Sequence, residues 1–562
     1  MRVLSCIISC LLLGTTATAW AAGTQDALPP LSEARDDLRI VRISLADLQG
    51  QPADVRAWID EHLDPCAIDR DPDGIRRAVL FLTPDELAAL QARGAPVEDV
   101  GRLADHIAAF APWNTLAKKR VPSIEAVVGR IMPETEGPDD DGAPRGVECQ
   151  NIGTSLMPYD EYHNIEESVC FLQNLAAAYP NICRLVSLGQ SIQGRDIWAL
   201  KITDQPDAVE PGEEKIFIKA TTHAREWATH ETLLYIAEYL TSRYATDARV
   251  QRIVDRSVVW LVPITNPDGY AHTWNGPQPS ARMWRKNRKL NNVQNCNNNP
   301  NSTCCGVDIN RNYSYVWGNF GGSSGNACSE TYRGGSAASE PETQAIQNFI
   351  AAEKPAIAVS FHSYSQLWLY PWGNTGSVTP ESYSSLRAMG KKLSQLVNDV
   401  HGLFYIPGQS NYNIYATNGD FNDFAYGAHG VLSFTPEVRP TNTGLGGFLL
   451  PEDQILECAE ENTAAMLWLM DNVAGTIDVR SSADGSLFET VAADETLEFA
   501  LPGPPAHQRP TDSLGYPAGF PNTLLTRLDD NVHNPPSWGD FPADFEGCGT
   551  GSGYTLETRD QP

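Results

Sequence analysis

Hydrophobic and polar positions near the N-terminus follow the short periods of a small mixed domain. Residues 38–45 alternate as in a strand, residues 54–63 have helical spacing, and residues 78–82 form a second apolar run. Thr83, followed three residues later by Glu86, is typical of a capping box at the start of a helix. This pattern predicts a small α+β unit.

From about residue 157 to residue 473 the pattern changes to longer alternating segments. A strand is predicted at 215–222 and an amphipathic helix at 228–244. Nearly continuous apolar runs, typical of strands that are buried on both faces, occur at 258–264, 356–361 and 431–434. Strands that alternate with helices predict an α/β domain with a mixed or mainly parallel sheet.

The first 21 residues have the features of a secretory signal peptide. Arg2 supplies positive charge, residues 3–13 are apolar but too short to span a bilayer, and Ala19-Trp20-Ala21 offers a cleavage site. The alternative is a lipoprotein signal, because the residues up to Cys10 loosely fit a lipobox. Either signal predicts export, and we expect a secreted protein, extracellular or periplasmic.

Residues 475–562 differ in composition from the rest of the chain. They contain 14 acidic and 4 basic residues, together with ten prolines and ten glycines. This composition is typical of an acidic, partly disordered extension, although residues 475–501 could form strands. We find neither a repeat nor a chemical motif in it.

The charge of the whole chain limits its partners. The 562 residues carry a formal net charge of −29, with 42% hydrophobic and 20% charged residues, a profile typical of globular proteins of more than one domain. Such a charge repels phosphate backbones, so we expect no nucleic-acid partner. No segment after the signal is apolar enough to span a membrane, so we expect no membrane partner once the signal is removed.

The cysteine count favours disulfides. Twelve cysteines, less Cys6 and Cys10 of the signal, leave ten, an even number in an exported chain. A zinc cluster is the alternative, but no C-x-x-C spacing occurs. The pairs predicted from their proximity in sequence are Cys170 with Cys183, Cys305 with Cys328, and Cys296 with Cys304.

A candidate metal-binding motif lies where the predicted strand at 215–222 ends. His223 and Glu226 have the H-x-x-E spacing that lets an imidazole and a carboxylate converge on one cation, and sites in open α/β sheets form at the carboxyl ends of strands. His362 follows the strand at 356–361 and can lie at the same edge. Two histidines and a glutamate leave a fourth position for water, as in catalytic zinc sites.

The residues around this motif resemble the zinc metallocarboxypeptidases of the carboxypeptidase A and B type. The similarity extends over about residues 157–473, more than half of the chain, and its motifs occur in the family's order. They are His223-Ala224-Arg225-Glu226-Trp227, Asn266-Pro267-Asp268-Gly269-Tyr270, Trp284-Arg285-Lys286, Gly306-Val307-Asp308-Ile309-Asn310-Arg311-Asn312, Ser329-Glu330-Thr331-Tyr332, His362-Ser363-Tyr364-Ser365-Gln366, Tyr370-Pro371-Trp372-Gly373, Ile414-Tyr415, Thr435-Pro436-Glu437-Val438-Arg439 and Gly447-Phe448-Leu449-Leu450-Pro451. The resemblance implies an α/β fold with a mixed, mainly parallel central sheet and helices on both faces, preceded by a small α+β pro-domain.

The resemblance implies one Zn²⁺ per catalytic domain. His223, Glu226 and His362 would be its ligands. Glu437 would be the general base that activates the attacking water and then protonates the leaving amine. Arg285 would stabilise the oxyanion.

The resemblance also implies how a peptide or protein C-terminus is bound. Asn310 and Arg311 would hold the terminal carboxylate, because a planar guanidinium pairs with it bidentately. Tyr415 would close over the bound terminus. Arg225 would help to position the substrate further along its chain.

One family position separates the preferences for the C-terminal side chain. Counting from Tyr415 to Glu437 without a gap places it at Asn422, which is polar but neutral. Asp420 lies two residues earlier and can point into the same pocket, because side chains at i and i+2 share a face in an extended segment. We predict a broad preference for apolar or aromatic and for basic C-terminal residues.

Two backbone features follow from the same comparison. The peptide bonds Ser363–Tyr364 and Arg439–Pro440 are expected to be cis. Pro436 departs from the family, in which an aromatic residue usually precedes the base. Because proline removes a backbone donor and restricts the residue before it, the direction of Glu437 depends on how the strand accommodates Pro436.

The first unit resembles, more loosely, the inhibitory pro-segment of the same family, and an accessory domain is the alternative. An activating protease is expected to cut the turn-rich linker after Arg145 or Arg120, and the active protein is expected to be a monomer. The predicted boundaries are a signal peptide at 1–21, a pro-domain and linker at 22–145, a catalytic domain at 146–474 and an acidic Pro/Gly-rich extension at 475–562.

The sequence therefore predicts a secreted zinc metallocarboxypeptidase that is made as a zymogen. The alternatives are a cell-wall peptide amidase or peptidase of the same fold and an inactive peptide-binding homologue. Asn310 and Arg311 argue against an endopeptidase, because they require a free carboxylate. The ligands and the base are all in place, which argues against an inactive homologue.

Overall fold

The structure is a computed structural model of the chain. The predicted signal peptide, the linker that contains Arg120 and Arg145, and most of the C-terminal extension lie outside the residues it describes. Those residues are 38–71, 74–110, 159–208, 213–276, 279–319, 321–375, 380, 382–473, 476–481, 487–492 and 554–558.

The N-terminal unit is a four-stranded antiparallel sheet in the order β2-β3-β1-β4, with short helices, as predicted. Thr83 Oγ1 accepts a hydrogen bond from the Glu86 N–H, and Glu86 Oε2 accepts one from the Thr83 N–H, so the predicted capping box is confirmed. The elements are β1 (Arg39–Ser44), α1 (Leu45–Gly50), α2 (Ala53–His62), β2 (Leu63–Arg70), β3 (Arg76–Leu82), α3 (Pro84–Ala92), β4 (Glu98–Arg102) and α4 (Leu103–Phe110).

The second unit is built on a mixed sheet whose strand order is β12-β11-β13-β9-β7-β8-β6-β5, with β10 beside β13. The pairs among β7, β8, β9 and β13 are parallel, and β5, β6 and β11 add antiparallel pairs. The strands are β5 (Cys183–Gln190), β6 (Asp196–Ile202), β7 (Glu214–Lys219), β8 (Ser257–Val262), β9 (Ile357–Ser360), β10 (His362–Ser363), β11 (Leu367–Tyr370), β12 (Ile406–Gln409) and β13 (Leu432–Val438).

Helices cover both faces of this sheet. Ile216 and Ile218 of β7 belong to a core with α6, α7, α11 and α14, whereas Phe217 between them belongs to a core with α10 and α13. Opposite faces are buried in this way because successive strand side chains point to opposite sides. The helices are α5 (Ile165–Ala178), α6 (Trp227–Arg243), α7 (Ala248–Arg256), α8 (Pro267–Asn275), α9 (Gln294–Asn298), α10 (Pro341–Glu353), α11 (Tyr383–His401), α12 (Ser410–Asn413), α13 (Phe421–His429) and α14 (Ile455–Val473).

Burial on both faces explains the apolar runs in the sequence. Every residue of β8 and β9 is buried, so alternation between polar and apolar positions is absent there. The predicted α/β fold, with its mixed sheet and helices on both faces, is confirmed.

Three further strands lie near the C-terminus. β14 (Thr476–Ser481) pairs antiparallel with β15 (Leu487–Ala492) and β16 (Tyr554–Thr558). Strands were therefore the correct alternative for part of the region at 475–501. Among the described residues, the helices are too short or too polar to cross a membrane.

The peptide bonds Ser363–Tyr364 and Arg439–Pro440 are both cis, as expected from the resemblance. A third cis bond, Pro371–Trp372, was not predicted.

The predicted pairing of the four cysteines within residues 296–328 is wrong. The structure joins Cys296 to Cys305 and Cys304 to Cys328. Cys304 and Cys305 are adjacent and point in different directions, so each takes the partner that was assigned to the other. The prediction that this segment forms disulfides is correct, but proximity in sequence does not decide which of two neighbouring cysteines pairs with a given partner.

The predicted pair of Cys170 with Cys183 is also wrong. Cys183 is a free, buried thiol whose Sγ contacts the carbonyl oxygens of Leu175 and Tyr179, at 3.4 and 3.3 Å. Cys170 is in a disulfide with another cysteine. The thiol of Cys183 is therefore a part of the core rather than a covalent link.

Candidate active site

The sheet brings the predicted metal ligands to one edge. His223 follows β7, and Glu226 is the N-cap residue of α6. His362 begins β10, two residues after β9 ends. Because β7 and β9 are parallel neighbours, their carboxyl ends meet at the same edge, where sites of open α/β sheets form.

His223, Glu226 and His362 form one buried group. His362 Nδ1 lies 3.0 Å from both His223 Nδ1 and Glu226 Oε2, and His223 Nδ1 lies 2.7 Å from Glu226 Oε1. The three side chains are at most 1% exposed. Two imidazole nitrogens and a carboxylate oxygen that face a common point are the donor set of an open zinc site, so these residues fit that ion.

The charges of this group suit a cation. Burial alone would raise the pKa of Glu226, but the two imidazoles beside it hold that pKa well below its usual range. Burial lowers the pKa of His362 to about 4, although Glu226 acts in the opposite direction. An ionised carboxylate and a neutral imidazole are the forms that bind metals.

Each histidine has a second polar partner behind it. His223 Nε2 lies 3.3 Å from Asp308 Oδ1, and His362 Nε2 lies 3.1 Å from Ser360 Oγ. Such partners orient the ring and leave its other nitrogen for the metal. We did not predict either partner. Ser360 stands two residues before His362, and this spacing, which places side chains on one face of a strand, was the available signal.

Glu437 lies beside the metal-binding group. It is 2% exposed and is the register partner of His362 across β10 and β13. Pro436 is accommodated inside β13, opposite Trp368 of the antiparallel strand β11. The proline therefore leaves Glu437 at the same sheet edge as the ligands.

Arg285 joins the site through Asp308. Its Nε and Nη2 donate to Asp308 Oδ2 at 3.1 and 2.9 Å. Burial alone would raise the pKa of Asp308, but Arg285 and His223 hold it well below its usual range. An ionised carboxylate therefore connects the guanidinium to one of the predicted ligands.

Arg311 and Tyr415 lie together at a second part of the site. Arg311 is buried, and its Nη2 lies 3.5 Å from Tyr415 Oη. Its Nε donates to the Gly322 carbonyl at 2.8 Å. Asn310 Oδ1 accepts a hydrogen bond from the Phe421 N–H at 3.0 Å. The structure thus brings together three of the residues predicted to bind the substrate.

Arg225, the fourth, is also buried. Its Nη1 donates to the Met283 carbonyl at 3.2 Å, and its guanidinium lies over the Phe448 ring at 4.3 Å. The Arg225 side chain therefore has a defined position, and the residue stands between His223 and Glu226 in the sequence.

Asp420 and Asn422 lie at the N-terminal end of α13. Asp420 caps this helix, because its Oδ1 accepts from the Asp423 N–H at 3.0 Å. Its Oδ2 accepts from Thr417 Oγ1 at 2.7 Å and would lie 3.1 Å from a Cβ on Gly373. Asn422 is buried, and its Oδ1 has no hydrogen-bond partner among the described residues. The capping role of Asp420 was not predicted.

Comparison with known proteins connects this geometry to one family. The family model described as zinc carboxypeptidase matches residues 169–465. Carboxypeptidase A1 of Rattus norvegicus is 34% identical over 330 residues, which are 58% of this chain and 73% of the rat protein. Metallocarboxypeptidase A of Trichophyton rubrum is 37% identical over 320 residues, 56% of this chain and 72% of the fungal protein.

A solved structure extends the similarity beyond the part matched in sequence. The crystal structure of carboxypeptidase A from Helicoverpa armigera aligns with a TM-score of 0.60 and 25% identity. The alignment covers 79% of this chain and 98% of the insect protein.

Proposed function

The chain belongs to the zinc carboxypeptidase family, and from this premise we propose that it is exported as a zymogen and removes the C-terminal residue of peptides and proteins. Metallocarboxypeptidase activity and a zinc cofactor follow from the family. The observation that carries the assignment to residues is the buried group of His223, Glu226 and His362, which lies beside Glu437 in the strand register.

We assign one Zn²⁺ to this group. Three protein ligands leave a coordination position open, as catalytic zinc sites require. Zinc bound there would polarise the substrate carbonyl and lower the pKa of a water molecule. Asp308 and Ser360 would keep the two imidazoles oriented for it.

The chain's own residues would then perform the proton transfers. Glu437 takes a proton from the attacking water and delivers it to the leaving amine. Its position beside His362 supports this role. Arg285, which Asp308 holds in place, stabilises the negative charge that develops on the carbonyl oxygen.

Arg311 would select a free C-terminus. Its guanidinium is buried and is aligned by the Gly322 carbonyl, and it would pair with the terminal carboxylate. Asn310 Oδ1 accepts a hydrogen bond from the Phe421 N–H. The amide nitrogen of Asn310 therefore points in the opposite direction and would donate to the same terminal carboxylate. The hydroxyl of Tyr415 lies next to Arg311 and would cover the bound end.

Asn422 and Asp420 would line the pocket for the C-terminal side chain. The buried Oδ1 of Asn422 is an acceptor in need of a donor, and Asp420 adds a carboxylate. Both favour a side chain that ends in N–H groups, such as lysine or arginine. Because Asn422 is neutral, apolar and aromatic side chains are not repelled, which supports the broad preference.

The N-terminal unit would act as an inhibitory pro-domain. Ile40, Val79 and Phe81 on one face of its sheet pack against Tyr364 and Phe448 of the second unit. Polar contacts reinforce this packing. Arg76 Nη1 donates to the Asn413 carbonyl at 2.7 Å, and Arg70 Nη2 donates to the Ser365 carbonyl at 2.9 Å.

These contacts reach two segments that adjoin proposed site residues in the sequence. Arg76 binds the segment before Tyr415, and Arg70 binds the segment after His362. The alignment with the insect carboxypeptidase, which covers 79% of this chain, also supports a pro-domain of the family type. We therefore propose the boundaries 1–21, 22–145, 146–474 and 475–562, an activating protease as a partner, and a monomeric enzyme.

Export is supported by the disulfides Cys296–Cys305 and Cys304–Cys328, since disulfides persist in oxidising compartments.

The proposed activity is tested by pairs of peptides that differ only at the C-terminus. Released amino acids are measured after limited trypsin treatment of the protein. A peptide acid should lose its last residue, and the matched peptide amide should remain intact. Cleavage of the amide, or of internal bonds, would contradict the proposal.

A further inference from the structure

Lys219 is a buried cation next to the proposed metal site. It ends β7, four residues before His223, and is 0% exposed. Its Nζ donates to Thr222 Oγ1 at 2.7 Å and to Ser360 Oγ at 2.8 Å, and it lies 4.5 Å from the centre of the Phe421 ring. A buried lysine usually faces a carboxylate, but the acceptors of Lys219 among the described residues are two hydroxyls.

The strand register places Lys219 behind one metal ligand. Lys219 and Ser360 are partners at the last position where β7 and β9 pair. Ser360 Oγ lies 3.1 Å from His362 Nε2. Two hydrogen bonds therefore connect the charge on Lys219 to the imidazole whose Nδ1 faces Glu226.

The two histidines consequently have opposite surroundings. Behind His223 stands the carboxylate of Asp308, at 3.3 Å. A carboxylate there increases the electron density that the imidazole donates to a metal. Behind His362 stands the Ser360 hydroxyl, which is bound to the Lys219 ammonium group. This ammonium group has the reverse effect, because its positive charge draws electron density away from the ring and repels a cation.

We propose that Lys219 weakens the hold of the site on zinc by placing a positive charge behind His362. The inference rests on the proposed zinc site and concerns a positioning residue that acts through Ser360. A less strongly neutralised Zn²⁺ is a stronger Lewis acid, so the charge on Lys219 exchanges metal affinity for activation of the substrate.

The ammonium form of Lys219 predominates just below neutral pH. Burial lowers its pKa to about 7, while Glu226 and Asp420 act to raise it. Measurements of metal affinity at pH 6.5 therefore sample mainly the ammonium form. Among the described contacts, this ammonium group makes no hydrogen bond to a carboxylate that would neutralise it.

The test is the zinc affinity of the metal-free full-length chain at pH 6.5, measured by competition with a chromogenic chelator. Lys219→Met should bind zinc at least tenfold more tightly than wild type, and the acidic limb of its kcat/KM profile should move to higher pH. A purely structural role predicts the reverse, because a disturbed site binds zinc more weakly. Unchanged or weaker zinc binding by this variant overturns the proposal.

Two further variants complete the test. Lys219→Gln removes the charge but retains an N–H donor, so it should also bind zinc more tightly, and it replaces the first variant if that one does not fold. Lys215→Met, at the other end of β7 in an ion pair with Glu353, is the matched control and should bind zinc as wild type does. If wild type binds no zinc, the proposed function fails; if wild type binds zinc and neither Lys219 variant tightens it, only this inference fails.

Discussion

Tyr364 Oη donates a hydrogen bond of 3.0 Å to Asp69 Oδ1, and this bond joins the two units of the protein at a fully buried carboxylate. Asp69 also accepts from the N–H and the hydroxyl of Thr443, at 2.9 and 2.5 Å. Within the N-terminal unit it is paired with Arg42 at 3.2 Å. A single carboxylate thus fastens the proposed pro-domain to the segment that follows His362.

Full-length protein should be nearly inactive, and limited trypsin should activate it. Asp69→Asn should raise the activity of the uncleaved chain at least about tenfold, because loss of a buried charge from such a network costs about 3 kcal/mol. The measurement is the rate of peptide hydrolysis before and after trypsin. Asp105→Asn, on the exposed side of α4, is the control and should stay latent. Equal activity of wild type before and after cleavage would favour an accessory domain.

Glu437→Gln should retain zinc and lose turnover. The substitution removes a general base but leaves all three ligands, so kcat should fall by about 10²–10⁴-fold. Zinc content by elemental analysis and kcat on a peptide acid are measured on the same sample. Near-wild-type kcat in a zinc-loaded variant would show that Glu437 is not the base.

Asp420→Asn should separate basic from apolar substrates. Asparagine caps a helix about as well as aspartate, so the variant loses the charge while α13 keeps its cap. We expect kcat/KM for an arginine-ended peptide to fall about tenfold, the value of a charge-assisted hydrogen bond, and that for a phenylalanine-ended peptide to be unchanged. If wild type removes only one of these two residues, or both values respond equally, the pocket assignment is wrong.

Glu342 should make stability depend on pH. It is buried, with Oε1 bound by the Ile192 N–H and Oε2 by Asn287, and burial raises its pKa to about 7. The folded state therefore holds this proton more tightly than the unfolded state does. The stabilisation is fully present below pH 4.5 and is lost as the pH rises through about 7.

Glu342→Gln mimics the protonated form, so its unfolding free energy should lack this decline. Relative to the variant, wild type should lose up to about 3 kcal/mol between pH 5 and pH 8, measured by urea unfolding at several pH values. Glu353→Gln, at the half-exposed C-terminal end of the same helix, should follow wild type. Parallel curves for wild type and Glu342→Gln would refute the assignment.

The elements of the sheet could be predicted because their signals are local. The apolar runs that became β8 and β9 report burial on both faces, and the capping box at Thr83 starts its helix where expected. The proposed ligands were predicted from a motif whose spacing suits their chemistry and from a histidine at a strand end, and Glu437 was predicted from the resemblance to the family. Their convergence then follows from parallel strands that end at one edge.

The partners behind those residues could not be predicted in the same way. Lys219 and Ser360 are separated by 141 positions in the sequence and meet only through the register of β7 and β9. The choice between Cys304 and Cys305 depends on the direction of a side chain in a turn, which composition does not encode. Register and side-chain direction are properties of the packed fold, so sequence patterns leave them open.

The central claim is that His223, Glu226 and His362 hold one catalytic zinc ion. The most direct measurement titrates Zn²⁺ into metal-free, trypsin-activated protein and follows release of the C-terminal residue from a peptide acid. Activity should be absent without metal, rise in proportion to added zinc and saturate at one equivalent per chain, whereas His362→Ala should stay inactive throughout. Full activity of the metal-free protein, or of His362→Ala, would contradict the account.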